Sequence, residues 1–231
     1  MSMRSLLFPI SLMMAFTSMF AAGSENAQLQ KPLPHVLIIG DSISIGYTPY
    51  VAEMLKGEAF VIHHRGNAWH TGTGLKMLDQ WTGAVKWDVI HFNWGLHDLC
   101  YRDTNSKAQD NRDKIKGTIT TNLEQYERNL DQLVQRLKKN GAILIWANTT
   151  VVPENEAGRF AGDERKYNEV AAAVMKKNDI EIDDLYTLTE GFPPDLFVKS
   201  GDVHYTREGY RKIATQVADR IRAALNSNSL R

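Results

Sequence analysis

Cysteine is nearly absent: Cys100 is the only one in 231 residues. No intrachain disulfide can form, so stability must come from the core, and a lone Cys reads as a small buried residue rather than a nucleophile. Charge of one sign is also lacking, because Lys+Arg and Asp+Glu number 27 each. Without a basic excess, a nucleic-acid or anionic-membrane partner is not expected. H-E-x-x-H, Cys/His ligand clusters and P-loops are missing, and Gly72-Thr73-Gly74 is too short for a dinucleotide fingerprint. A metal site, a dinucleotide site of this kind and a P-loop are therefore not expected. Internal repeats and low-complexity segments are absent too.

Long apolar runs are scarce. The longest, from Leu6 to Phe20, follows Arg4, is broken by Pro9 and Ser11, and leads into small residues. This is the layout of a secretory signal peptide, with cleavage near Gly23 and Ala21 in the minus-three place. The run is short for a membrane span, and a retained anchor is the alternative. No cysteine lies near the cleavage point to take a lipid. Residues 1–23 are thus read as a signal peptide, 24–34 as a linker and 35–231 as one domain. The mature protein is expected to be secreted or periplasmic, without stable membrane insertion.

What remains is ordinary for a soluble globular chain: 43% hydrophobic and 23% charged residues. Four nearly continuous apolar runs read as strands buried on both faces: "HVLIIG" (35–40), "AFVIHH" (59–64), "WDVIHFNW" (87–94) and "AILIWANT" (142–149). "DIEIDDLY" (179–186) makes a fifth. Helical patterns fall between them. The strongest, within 118–141, carries Leu123, Tyr126, Leu130, Leu133, Val134 and Leu137 on one stripe and stops at Gly141. Alternation of strands and helices with right-handed crossovers gives a doubly wound, three-layer α/β/α fold around a parallel sheet. Two long loops, about 100–117 and 151–162, are either functional or solvated insertions.

In such sheets a site forms outside the carboxyl ends of the strands. Polar residues gather there: Asp41-Ser42 after the first run, Arg65-Gly66-Asn67 after the second, and Asn93 to Asp98 after the third. Asn148 to Thr150 follow the fourth, and Gly201-Asp202-Val203-His204 precede the final helix. Ser42 at a strand end is either a helix cap or a nucleophile, and a helix N-terminus would favour a developing oxyanion beside it. Ser44 is the fallback. A serine needs a base, and His204 is the best placed of seven histidines. His63, His64 and His91 lie in or at the end of strands and read as satisfied core residues, whereas His70 and His97 remain open. Trp69 and Trp94 either stack on a sugar ring or pack, with packing favoured for Trp94.

Gly-Asp-Ser after the first strand, a glycine loop after the second, Gly-x-x-Asp after the third and a His in the last loop together resemble the SGNH hydrolases, the GDSL-type esterases and lipases. The likeness covers roughly residues 35 to 225. It implies a flavodoxin-like sheet of about five parallel strands and ester hydrolysis without a cofactor. It also implies Ser42 as nucleophile, His204 as general base, and the Ser42 and Gly66 amides as oxyanion donors, with Ala68 as the alternative to Gly66. Two places depart from the family pattern. His97 stands where the family has an asparagine; a neutral imidazole can still donate one N–H. Gly201 stands where the family's acid is usual, three residues before the histidine, so Asp202 is the candidate acid and a Ser-His dyad the alternative. Asn67, Trp69 and Asn93 are candidate substrate-binding residues. The expected substrate is a small or carbohydrate ester outside the cell. A lysophospholipase or thioesterase-type hydrolase, or a non-catalytic binding protein on the same fold, are the other readings.

Overall fold

The structure is a computed structural model and describes residues 32–228. The expected signal peptide and most of the linker lie outside the described residues. Strand β1 (His35–Ile39) leads into helix α1 (Ser42–Met54), then β2 (Phe60–His63), α2 (Thr71–Thr82) and β3 (Val89–Phe92). Next come two short strands, β4 (Tyr101–Arg102) and β5 (Thr118–Ile119), which pair antiparallel. Helix α3 (Leu123–Lys138), β6 (Ile143–Ala147), α4 (Asp163–Asn178), β7 (Glu181–Asp183), α5 (Leu185–Glu190) and α6 (Arg207–Asn228) complete the chain.

The main sheet has the order β2-β1-β3-β6-β7, all parallel. With the small pair set aside this is the 2-1-3-4-5 order of a doubly wound sheet, whose switch point lies between β1 and β3. Helices α1 and α6 pack together on one face, and α2, α3 and α4 on the other. The stripe on α3 is what puts it there: Tyr126, Leu130, Leu133, Val134 and Leu137 are buried. Strand β1 is buried from Val36 to Ile39, as its unbroken apolar run requires.

The five expected strands are all present, each shorter than its run. The fifth run divides, because Asp184 accepts from the Thr187 amide and caps α5. Inside the sheet, His91 is fully buried and its Nε2 lies 3.0 Å from Asp183 Oδ2. Asp183 also accepts from Gln216 of α6. His91 is thus a core histidine with its polar atoms matched.

Candidate active site

The carboxyl end of β1 sets the site. Asp41 caps α1: its buried carboxylate accepts from the Ile43 amide at 2.9 Å. Burial pushes the Asp41 carboxyl above its usual range, against the pull of that amide, Arg159 and His204. Because Asp41 does the capping, Ser42 is the first helical residue and its hydroxyl is free for another partner. The Ser42 amide makes no hydrogen bond among the described residues, and it sits in the positive field of the helix terminus. Ser44 is buried on another side of α1, with its hydroxyl 2.8 Å from the Asp41 carbonyl and 2.7 Å from His63 Nε2. It does not share the cavity in which Ser42 lies.

From the loop before α6, His204 reaches across to Ser42: Nε2 and Oγ are 2.8 Å apart. The other ring nitrogen, Nδ1, lies 2.6 Å from Asp202 Oδ1, which also accepts from the His204 amide at 3.0 Å. One carboxylate oxygen thus closes an Asx-type turn two residues on and orients the ring at the same time. Burial works to raise the Asp202 carboxyl, but the two His204 hydrogen bonds and nearby positive charge outweigh it and hold it below its usual value. An ionised Asp202 can only accept, so Nδ1 carries a proton and Nε2 is left to accept from Ser42. Gly201 is a glycine for a local reason. Its φ is +73°, and a Cβ there would stand 2.5 Å from the Asn155 carbonyl oxygen. No acid fits at that position, and the bend it makes carries Asp202 to the histidine.

Ser42 and His204 open on a cavity of about 350 Å3, lined also by Asn67, Trp69, Leu96, His97 and Val203. Gly66 and Asn93 are not among its lining residues. The Asn93 side chain instead donates to the Ala147 carbonyl, 2.7 Å away, and braces β3 on β6. In the loop after β2 the Ala68 amide is taken by the Gly40 carbonyl at 3.0 Å. The Gly66 and Asn67 amides have no acceptor among the described residues. Trp94 is fully buried, whereas Trp69 is 40% exposed and meets the His97 ring edge-on at 4.8 Å.

The turn after β3 is held by Asp98, which accepts from the Thr71 amide and hydroxyl at the start of α2. Burial raises the Asp98 carboxyl to about 7, with the Thr71 and Thr121 hydrogen bonds opposing. This link fixes where the preceding residue, His97, can sit. His97 is buried and neutral: desolvation first, then Arg159, Arg102, His70 and Arg112, pushes its pKa down to about 2.

The far wall of the cavity comes from both long loops, through Gln109, Asp110 and Arg112 of one and Arg159 of the other. Glu156, fully buried, joins them. Its Oε1 accepts from Arg112 at 2.7 Å and from Arg159 at 2.9 Å, and its Oε2 accepts from the Gly158 amide. The sequence contained no signal for these wall residues beyond the length and charge of the loops.

A family model described as GDSL-like lipase/acylhydrolase matches residues 38–212. Among solved structures, a lipase/acylhydrolase from Enterococcus faecalis superposes with a TM-score of 0.67 at 18% identity, over 83% of this chain and 96% of that one. The acetyl xylan esterase AlAXEase gives 0.64 at 16% identity, over 81% and 99%. A GDSL-like lipase from Bacteroides thetaiotaomicron gives 0.60 at 19% identity, over 87% and 95%. At these identities the likeness is one of fold. No curated protein sequence matches the chain.

Proposed function

The chain belongs to the GDSL-like lipase/acylhydrolase family, and on that premise we propose that it is an exported serine esterase that cleaves acyl groups, acetyl among them, from a carbohydrate or another small ester. The observation that carries the reading is the hydrogen-bonded row Asp202–His204–Ser42, 2.6 and 2.8 Å between successive partners, at the positive end of α1. Such a row lets His204 take the Ser42 proton as Oγ attacks the ester carbonyl. Asp202 stabilises the imidazolium that forms. The oxyanion is held by the Ser42 amide, the free amide of Asn67 in the loop after β2, which lines the cavity, and the His97 side chain. His204 then protonates the departing alcohol, and water releases the acid from the acyl-enzyme by the same steps in reverse.

Carbohydrate is favoured for two reasons. The half-exposed Trp69 indole lines the cavity and offers a flat apolar face to a sugar ring. One similar structure is that of an acetyl xylan esterase. Export rests on the N-terminal sequence, whose charge, apolar run and small residues have the order of a signal peptide.

A fluorophosphonate probe tests the core of this reading. The protein is expected to be labelled on Ser42 and to hydrolyse short-chain nitrophenyl esters between pH 6 and 9, both lost in Ser42→Ala. Labelling that survives in Ser42→Ala would place the nucleophile elsewhere, and absence of hydrolysis in the unmutated protein would remove the esterase reading.

A further inference from the structure

His97 poses a problem that an asparagine would not. A neutral imidazole carries one N–H and one lone pair, and which nitrogen has the proton decides whether it attracts or repels an oxyanion. The structure contains the element that decides. Arg102 Nη2 lies 3.0 Å from His97 Nδ1. A guanidinium only donates and does not lose its proton, so Nδ1 must be the acceptor. The single proton of the neutral ring is then on Nε2. That nitrogen has no protein acceptor among the described residues, while the ring lines the cavity that holds Ser42 and His204.

Arg102 is itself held firmly. It lies in β4, paired with Thr118 of β5. Its Nε donates to Thr120 Oγ1 at 3.2 Å, and its Nη1 donates to the Asp110 carbonyl oxygen. None of these partners is a carboxylate, so the Arg102 charge is not cancelled by direct pairing. Arg159 and Arg112 of the loop wall and His70 at the start of α2 also act on the ring by their charge, and the Trp69 ring packs on it edge-on. No acid is among these groups, and Asp110, the one carboxylate that lines the same cavity, makes no contact with the ring among the described residues. The surroundings oppose an imidazolium and the Trp69 contact hinders a ring flip.

We propose that Arg102 is a positioning residue that fixes His97 as the Nε2–H tautomer, so that a histidine supplies the side-chain oxyanion donor. The proposal rests on the esterase reading for its purpose, but its test does not need turnover. Nitrogen-15 NMR of the labelled full-length protein reads both ring nitrogens, with His97 assigned by the signals lost in His97→Asn. The expected spectrum has a pyridine-type Nδ1 and a pyrrole-type Nε2, unchanged from pH 5 to 8, in the unmutated protein and in Ser42→Ala alike. Arg102→Met is expected to give a mixed or titrating ring. It is also expected to lower kcat on a nitrophenyl ester at least about tenfold with little change in KM, as loosening one oxyanion donor should. Arg102→Lys, which keeps a cationic donor, is expected to restore both signals. A pyrrole-type Nδ1 in the unmutated protein, or a ring that titrates within that range, overturns the proposal. So does an Arg102→Met protein with the original tautomer, even if its activity falls. Should Arg102→Met not fold, the unmutated and Arg102→Lys spectra decide. A correct tautomer in a protein that no fluorophosphonate labels would sink the esterase reading and leave the tautomer assignment standing.

Discussion

At the scale of single residues, the acid of the row is the place where a spacing rule gave way to local geometry. Three residues before His204 there is a glycine, and its positive φ and the nearby Asn155 carbonyl exclude a side chain. The carboxylate two residues before the histidine meets the ring instead, because an Asx-type turn brings it back onto Nδ1. Asp202→Asn is expected to keep the fold and lower kcat by two to four orders of magnitude, since the amide no longer stabilises imidazolium and can hold the wrong tautomer. Steady-state kinetics on a nitrophenyl ester check this, and an unchanged rate would leave a Ser42–His204 dyad. That Ser42, His204 and His97 would gather at one place was legible in the sequence, because strand ends and the last loop must meet at one edge. Arg102, Arg112 and Arg159 were not: an arginine in a charged loop reads as solvated until the fold shows what it faces.

At the scale of elements, all five strands of the main sheet were legible, since each is a β-rich apolar run between polar breaks. Helix boundaries were less so. The start of α1 at Ser42 was expected from the strand end, although Gly46 and Pro49 weaken its propensity, and what fixes it is the Asp41 cap followed by packing on α6. Gly46 lies against the Tyr210 ring, and a Cβ there would be 2.2 Å from Cζ. Gly46→Ala is expected to destabilise the protein by about 1–3 kcal/mol, because the overlap outweighs the gain in helix propensity of about 1 kcal/mol or less. Since His204 lies just before α6, displacing that helix also lengthens the reach to Ser42. Urea denaturation and kcat are expected to fall together; a stabilised Gly46→Ala would show that the helices part without cost.

At the scale of the whole molecule, the buried titratable groups set how stability follows pH. His63 is pushed down to about 4, chiefly by burial, and His97 to about 2, against an ordinary value of 6.5. As pH falls below about 6.5 the unfolded chain takes up two protons that the folded chain refuses, so both histidines cost stability on acidification. Asp98, raised to about 7 from 3.8, acts oppositely: between those values the folded chain keeps a proton that the unfolded chain loses. Near pH 5 these three leave the unfolded chain ahead in bound protons, so their sum lowers stability toward acid. The melting temperature is expected to drop from pH 6.5 to 4.5 and to drop less in His63→Gln; a flat profile would contradict the sign. Glu156 has a different consequence at this scale. Its Oε1 pairs with Arg159 of its own loop and with Arg112 of the other, so departure of the 100–117 loop strips one of two cationic partners from a buried carboxylate, and departure of the 151–162 loop leaves Arg112 without its carboxylate. Parting the two loops therefore carries an electrostatic cost, and the cavity wall they share is stiffened by an ion pair that belongs to neither loop alone.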